Sequence, residues 1–322
     1  MQRWVSAVLI ALFLPLLAQA SDVGSYPDKP IRIVVPYLPG GAADVLARRV
    51  GERLTERLKQ PVVIDNKPGG NTLIGSEAVM NAPADGYTLF ATNTTIVQIP
   101  FLYPVRYDAT RDFRPVNELA GSPLVLAVLS SVPANNVQEF VAYLKTRPGK
   151  TTYGTSGVGG TQHIFSEAFK RATGTDSVHV PYKGEPPLVT DFLAGRVDWF
   201  ISTQLTVLPY VKTGKVKLLA ATGDKRLPLL PDVPTFKEEG IPSLGIVGWY
   251  ALFAPAATPD PIVERLSNEV HAIIRTPEIS QFLKDNGLIP SGTVAAEFAP
   301  QVKEAQAAFG RMIKENDIRV DQ

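Results

Sequence analysis

Short apolar runs rich in β-branched residues alternate with longer amphipathic stretches along the chain after residue 30. This alternation is typical of parallel βαβ units and predicts an α/β fold. In the first half it predicts strands at 31–35, 61–65, 87–91 and 123–130, and helices at 43–59, 74–81 and 137–146. In the second half it predicts strands at 151–154, 178–181, 197–201, 216–221 and 246–254, and helices at 161–172, 187–194 and beyond 261.

Two glycine-rich loops, at residues 36–44 and 155–161, each lie between a predicted strand and a predicted helix. They are too far apart in sequence to share one βαβ unit, so we expect two α/β lobes. We expect lobe 1 to comprise residues 21–122 and 251–322, and lobe 2 to comprise residues 123–250. Two crossing strands would join the lobes, with a ligand cleft between them.

The first 20 residues have the composition of a secretory signal peptide. Arg3 precedes an apolar run at residues 5–17, and Ala18-Gln19-Ala20 forms a small-x-small cleavage pattern. An N-terminal membrane anchor is the alternative, but a spanning helix needs roughly 20 apolar residues. The chain has no cysteine, which excludes disulfides and lipid attachment at a new N-terminal cysteine. We therefore expect cleavage after about Ala20 and a free protein in the periplasm.

Overall charge adds one exclusion. The chain has 32 Lys and Arg against 31 Asp and Glu, so it lacks the basic excess of a nucleic-acid-binding protein. We therefore expect no nucleic-acid partner, and we expect a monomer.

The first glycine loop is a candidate anion site. The start of a helix presents unpaired amide groups and a partial positive charge, and glycines let a ligand approach the backbone. Asp44 is better suited to capping the helix than to touching a ligand. An ordinary tight turn is the alternative for this loop. Its candidate ligand-binding residues are Tyr37, Pro39, Gly40, Gly41, Ala42, Ala43 and Asp44.

The second loop offers another helix start, and its candidate residues are Ser156, Gly157, Gly160 and Thr161. The loop lacks the Lys of a phosphate loop, has Gln162 in place of the third glycine of a dinucleotide fingerprint, and has Val158 where a nucleophile elbow needs glycine. These departures argue against nucleotide binding and against hydrolysis.

Three histidines, His163, His179 and His271, fit no zinc motif, so we expect no metal and no cofactor. We expect His163, early in the helix after the second loop, to line the cleft. A catalytic pair of Ser156 and His163 is the alternative that would make the protein a hydrolase.

Polar residues also follow three predicted strands. Ligands of open α/β sheets bind beyond the carboxyl ends of strands, so these residues should face the cleft. Lys183 could contact a distal carboxylate or could simply be a solvated surface residue. The candidates are Thr92, Asn93, Thr94, Tyr182, Lys183, Ser202 and Thr203.

Seven short blocks, in order along nearly the whole mature chain, carry a resemblance to a known family. They are Tyr-Pro-x-Lys-Pro-Ile-Arg at 26–32, Pro-Gly-Gly with Asp at 39–44, Pro-Ala-Asp-Gly-Tyr-Thr-Leu at 83–89, His-Val-Pro-Tyr-Lys-Gly at 179–184, Gly-Arg-Val-Asp at 195–198, Pro-Asp-Val-Pro-Thr at 231–235 and Leu-Phe-Ala-Pro-Ala at 252–256. With these blocks the chain resembles the Bug family, the extracytoplasmic receptors of tripartite tricarboxylate transporters.

The resemblance implies a two-lobed fold like that of type II periplasmic binding proteins, and a receptor rather than an enzyme. Such a receptor closes on a small carboxylate and delivers it to the large and small membrane subunits of the transporter. It also implies that backbone amides of the two loops and the helix after the second hold one carboxylate. Many relatives carry an acidic residue at the position of Ser202, which could pair with a ligand ammonium. Its absence here favours a dicarboxylate or an aromatic carboxylate over an amino acid. A periplasmic sensor for a signalling partner remains an alternative.

Overall fold

The computed structural model describes residues 25–320, so the predicted signal peptide at residues 1–20 lies outside the described residues. The described part contains eleven strands and ten α-helices. The strands are β1 (Ile31–Val35), β2 (Val62–Asn66), β3 (Thr88–Asn93), β4 (Phe113–Ser122), β5 (Leu124–Leu129), β6 (Thr152–Thr155), β7 (Val178–Pro181), β8 (Trp199–Thr203), β9 (Val216–Ala221), β10 (Gly248–Pro255) and β11 (Ile289–Pro290). The helices are α1 (Ala42–Leu58), α2 (Leu73–Met80), α3 (Thr95–Gln98), α4 (Val137–Lys145), α5 (Thr161–Thr173), α6 (Glu185–Leu193), α7 (Gln204–Lys212), α8 (Asp260–Ile274), α9 (Pro277–Asp285) and α10 (Ala295–Glu315).

Six strands of the described chain form one sheet, in the order β11-β4-β10-β3-β1-β2. β1 pairs in parallel with both β2 and β3. The carboxyl ends of β1 and β3 therefore lie at the same edge, which places the first glycine loop beside residues 92–94. β10 pairs antiparallel with β3 and β4, so the late part of the chain returns to this sheet.

The other five strands form a second sheet, in the order β7-β6-β8-β5-β9. β6 pairs in parallel with β7 and β8, whereas β5 pairs antiparallel with β8 and β9. The carboxyl ends of β6 and β8 share one edge, and the second glycine loop and residues 202–203 meet there.

The chain crosses between the two sheets twice, at Pro123 between β4 and β5 and again over residues 222–247 between β9 and β10. The predicted two-lobed α/β fold is confirmed. We call the first sheet with its helices lobe 1 and the second sheet with its helices lobe 2. The exact division remains a proposal, and the pairing of β10 favours a second boundary at Gly248 over residue 251.

Helix α1 shows how the sequence builds lobe 1. Leu46, Val50 and Leu54 repeat every four residues and are almost fully buried, so they lie on one face of the helix. Together with neighbours from β1, β3 and α8 they form one hydrophobic cluster. This packing fixes the start of α1 at the edge where the first glycine loop lies.

A second buried cluster extends through both lobes. In lobe 2, Phe169 packs against Trp199 with ring centroids 5.4 Å apart. Phe165 of α5 packs against Phe309 of α10, with ring centroids 6.2 Å apart. α10 packs mainly on β4 and α3 of lobe 1. The start of α5 is therefore held against lobe 1 by hydrophobic packing.

Four elements, β4, α3, α7 and β11, were not predicted from the sequence, and β4 and α7 show the reason. The β4 segment contains Asn117, a polar residue that is fully buried because its amide group donates to main-chain carbonyls such as Ser267 O. α7 contains Pro209 and only a weak apolar face, so its pattern did not predict a helix. In both elements tertiary contacts outweigh local propensity.

Candidate anion-binding site

The start of α1 leaves its first amides available. Gly41 is the N-cap residue and no side chain caps the helix there. The first helical bond to the cap is Val45 N to Gly41 O at 3.0 Å, and within residues 25–320 no group accepts from the amides of Gly41, Ala42 and Ala43. Gly40 has a φ of +87°, a left-handed conformation that favours glycine. This terminus can therefore donate to an anion.

Asp44 holds the first loop in shape. Its carboxylate accepts from Gly40 N at 2.9 Å, from Arg48 Nε at 3.0 Å and from Asn66 Nδ2 at 2.9 Å. Burial alone would raise the pKa of Asp44, but these hydrogen bonds outweigh it and lower the pKa. The amide of Gly40 and the carboxylate of Asp44 are thus paired with each other, so we no longer expect either group to contact a ligand.

Tyr37 and Asn93 join the first loop to the end of β3. The Tyr37 hydroxyl donates to Asn93 Oδ1 at 2.8 Å, and the same oxygen accepts from Thr95 N at 2.9 Å. Burial raises the pKa of Tyr37 to about 12, so the hydroxyl stays protonated. Pro39 is exposed at the tip of the loop, and Thr92 is buried in β3.

The start of α5 has the same design. Gly160 is its N-cap residue, again without a side-chain cap, and no acidic residue lies in the first turn. The first bond to the cap is Ile164 N to Gly160 O at 3.0 Å, and among the described residues the amides of Thr161, Gln162 and His163 have no acceptor.

Gln162 holds the second loop in position, as Asp44 holds the first. Its Oε1 accepts from Ser156 N at 2.7 Å, so the Ser156 amide predicted to bind ligand is already paired. Ser156 O in turn accepts from Gly184 N at 3.3 Å. Gly157 has its amide 3.4 Å from Thr155 Oγ1. The free donors of this loop are therefore at the helix start.

Thr161 connects the two lobes. Its hydroxyl donates to Gln98 Oε1 at 2.9 Å and lies 3.3 Å from Thr94 Oγ1. Asn71 Nδ2 donates to Val158 O at 2.7 Å across the same interface. These contacts bring the second loop, and with it the start of α5, against lobe 1.

The first loop reaches the same interface from the other side. Leu38 in the first loop lies near Gly184, whose amide donates to Ser156 O in the second loop at 3.3 Å. The starts of α1 and α5 are thus linked through Tyr37, Asn93 and Thr94 on one path and through Leu38 and Gly184 on the other.

The side chain of His163 does not line the cleft, contrary to our expectation. It is 5% exposed, its Nδ1 accepts from Gly159 N at 3.1 Å, and its ring stacks on His179 with centroids 4.3 Å apart. Burial lowers the pKa of His163. The ring has turned into lobe 2 because Tyr153 and His179 provide a stacking partner there, and only the His163 amide remains at the helix start.

Tyr182 and Lys183 differ from the other strand-end candidates. The Tyr182 hydroxyl donates to Asp191 Oδ2 at 2.9 Å, within lobe 2, and Lys183 is exposed. The structure brings neither side chain into the contacts between the glycine loops.

Ser202 and Thr203, at the end of β8, are both buried and both belong to a polar cluster around Glu185. Ser202 Oγ donates to Glu185 Oε1 at 2.9 Å, and Thr203 Oγ1 lies 3.0 Å from Thr206 Oγ1. Thr206 Oγ1 donates to Glu185 Oε2 at 2.8 Å. Glu185 is the first residue of α6 and had not been predicted from the sequence as a site residue.

Comparison with known proteins identifies the family. Residues 46–318 match the family model described as the tripartite tricarboxylate transporter family receptor, TctC. The chain belongs to this family. The receptor is similar to the protein BugT of Bordetella pertussis strain Tohama I, with 30% identity over 90% of each chain.

Two solved structures resemble the receptor in sequence and fold. The R. palustris protein Rpa4515 with adipate is 33% identical, has a TM-score of 0.86, and the match covers 91% of this chain and 99% of that one. MatC from Rhodopseudomonas palustris with bound malate is 27% identical, has a TM-score of 0.83, and the match covers 89% and 100% of the two chains. Family and neighbours are binding proteins, so the receptor is not an enzyme, and receptors of this type are periplasmic.

The described part of the receptor contains neither a helix suited to crossing a membrane nor a set of three or more acidic or histidine side chains placed to hold a metal ion. The candidate site consists of backbone amides, hydroxyls, side-chain amides and the carboxyl groups of Asp44 and Glu185.

Glu185 is the one acidic side chain in the polar cluster of the receptor. Gln162 Nε2 donates to its Oε1 at 2.7 Å, so Glu185 is linked to the first turn of α5. Burial raises the pKa of Glu185. Burial and then the charge of Glu185 raise the pKa of Tyr250 in β10.

Sequence reasoning missed Gln98, Gln162 and Glu185 in the receptor. Gln162 lies two residues after a Gly-Gly pair, and Glu185 follows Gly184 directly, so each follows a glycine near a helix start. That position was the available signal. Gln98 lies in α3, a four-residue helix whose sequence gave no sign of a role.

Proposed function

We propose that this protein captures a small organic carboxylate between its two lobes and delivers it to the membrane subunits of a tripartite tricarboxylate transporter. The observation that carries the proposal is the pair of uncapped helix starts, α1 and α5, at one interface between the lobes. Each offers amides with no acceptor among the described residues. A carboxylate between them would gain hydrogen bonds from both lobes, and binding would favour the closed form.

The arrangement suits capture rather than chemical conversion. Asp44 and Gln162 hold the loops in position through bonds to Gly40 N and Ser156 N, so little reorganisation is needed when a ligand arrives. Within residues 25–320 no histidine hydrogen-bonds to the Ser156 hydroxyl, because His163 stacks on His179 and His179 Nε2 lies 2.7 Å from Thr155 Oγ1. These observations weigh against the hydrolase alternative.

The relatives add support for the ligand class. Rpa4515 was solved with adipate and MatC with malate, and both molecules are small carboxylates. A dicarboxylate or an aromatic carboxylate was the expectation from the sequence, and the two relatives support the wider class of small carboxylates for this chain.

Binding is tested with purified protein lacking residues 1–20 and a panel of small carboxylates that includes adipate, malate, succinate and benzoate. A bound ligand raises the melting temperature through linkage, and calorimetry gives its affinity. We expect a dissociation constant of about 1 µM or below, close to −8 kcal/mol. If no carboxylate in the panel changes the melting temperature or gives heat, the proposed capture function is wrong.

Delivery is tested separately by cross-linking the ligand-loaded protein in native membranes and identifying the linked proteins by mass spectrometry. Membrane subunits of a tripartite tricarboxylate transporter are the expected products. Exclusive linkage to a membrane signalling protein would favour the sensor alternative.

A further inference from the structure

Glu185 is the feature of the candidate site that simple carboxylate capture does not explain. A site for an anion would be expected to lack a negative side chain, yet the carboxyl group of Glu185 lies in the same polar cluster as Ser202. Gln162 links it to the second glycine loop, since Gln162 Oε1 accepts from Ser156 N and Gln162 Nε2 donates to Glu185 Oε1.

The contacts of Glu185 are those of an ionised carboxylate. Gln162 Nε2 and Ser202 Oγ donate to Oε1, and Thr206 Oγ1 donates to Oε2. A carboxylate offers about four acceptor positions, so these three donors leave one position vacant, on Oε2. Glu185 also retains some exposed surface. One further donor can therefore approach it.

Among the residues that the structure describes, no positive side chain pairs with this carboxylate. Its pKa responds to burial and to the three hydrogen-bonding residues, and no cation of residues 25–320 contributes. Burial without a counter-charge is unfavourable, as the raised pKa of Glu185 reflects. A carboxylate ligand held by the α1 and α5 amides would add a second negative charge to the same cleft.

We propose, on the basis of the proposed function, that Glu185 determines specificity and selects small carboxylates that also carry an ammonium group. The ligand carboxylate would bind the free helix-start amides, and its ammonium group would donate to Glu185 Oε2. The ligand would then supply the positive charge that the cleft lacks. A ligand with an unprotonated carboxylate at this end would instead be repelled.

This proposal revises one expectation from the sequence. Ser202 stands where many relatives have an acidic residue, and its presence argued against an amino-acid ligand. In the structure the Ser202 hydroxyl lies 2.9 Å from Glu185 Oε1, so a carboxylate reaches the same region from the start of α6. The sequence argument from Ser202 therefore no longer holds.

The test compares ligand pairs that differ only by an amino group, namely aspartate with succinate, glutamate with glutarate, and β-alanine with propionate. Calorimetry at pH 7 is run on wild type and Glu185→Gln. In wild type at least one amino member should bind tenfold or more tightly than its partner. Glu185→Gln should lose at least tenfold in affinity for that amino member and should keep or increase its affinity for the partner, because the repulsion between Glu185 and a second ligand carboxylate is removed.

Glu118→Gln is the matched control, because Glu118 is also a partly buried carboxyl group whose pKa is raised by burial. It accepts from Ser291 Oγ at 2.7 Å and Thr293 Oγ1 at 3.5 Å, but it lies on β4. It should leave every affinity unchanged. If Glu185→Gln does not fold, the wild-type preference within the pairs decides alone.

Two results would overturn the specificity proposal while leaving carboxylate capture intact. One is a wild type that binds each unsubstituted member as tightly as its amino partner. The other is a Glu185→Gln variant that weakens both members of a pair equally, which would indicate a structural role. Absence of any carboxylate binding, in these pairs and in the wider panel, would overturn the proposed function and this inference together.

Discussion

Replacing Ala42 by proline removes one amide donor from the candidate site with little effect on the fold. Ala42 is the first residue of α1, and its own amide is not part of the helical hydrogen-bond pattern. Proline is favoured at this position because its fixed φ suits the first turn. The preceding residue, Gly41, has φ −75° and ψ 166°, an extended conformation that is permitted before proline.

The expected loss follows from the kind of hydrogen bond removed. A backbone amide that donates to a charged group contributes about 1.5–3 kcal/mol, and each 1.4 kcal/mol is tenfold in affinity. Ala42→Pro should therefore weaken carboxylate binding about 10- to 150-fold. The bond from Val45 N to Gly41 O does not involve the lost amide, so the free energy of unfolding should change by less than about 1 kcal/mol.

Calorimetry with the best ligand of the panel measures the affinity, and urea denaturation measures the free energy of unfolding. Ala42→Gly is the control, since it changes the side chain but keeps the amide, and its affinity should stay near that of wild type. A folded Ala42→Pro variant that binds within threefold of wild type would show that this amide does not hold the ligand.

Two further predictions concern closure and pH. Asn71→Gly keeps the left-handed backbone at φ +48° but removes the 2.7 Å hydrogen bond to Val158 O. Dissociation of the ligand should therefore be about 2- to 10-fold faster in stopped-flow measurements. An unchanged rate would contradict a role of this hydrogen bond in closure. Burial lowers the pKa of His179 from 6.5 to about 4, so between these values only the unfolded chain binds the proton and stability falls as pH falls. Between pH 7.5 and pH 5 the loss should be about 1 kcal/mol, after reduction for the partial exposure of the ring. His179→Phe keeps the ring stacking, so its free energy of unfolding, measured by urea denaturation at the two pH values, should fall less than that of wild type. Equal losses in the variant and in wild type would argue against the lowered pKa of His179.

The hydrophobic pattern predicted elements best where each element contributes one regular face to a core. Residues 31–35, 178–181 and 216–221 are strands with the predicted bounds, and the helix predicted from residue 161 begins there. β4 was missed because Asn117 is polar in sequence and buried only through bonds to distant carbonyls. Such bonds depend on residues about 150 positions away, so no local pattern reports them.

The candidate site was predicted as two loops but not as a network. Glycine next to a predicted helix start indicated available amides, and the structure leaves such amides free at Ala42 and Thr161. The sequence could not indicate which amides are already paired, because that depends on the rotamers of Asp44 and Gln162. Glu185 was missed for a related reason, since its role depends on contacts with α5, β8 and α7 at once.

Different residues hold the two loops in position, and this difference has a consequence for ligand specificity. In each, a side chain in the first turn of the helix, Asp44 or Gln162, accepts from an amide of the preceding loop and fixes the loop before ligand arrives. The amides that remain recognise a carboxylate but do not distinguish one carboxylate from another. Discrimination must then come from side chains beyond the loops, and Gln162 connects the carboxylate-binding end to one of them, because its amide nitrogen donates to Glu185. Exchanging Glu185 should therefore change which ligand binds, whereas exchanging Ala42 for proline should weaken every carboxylate alike.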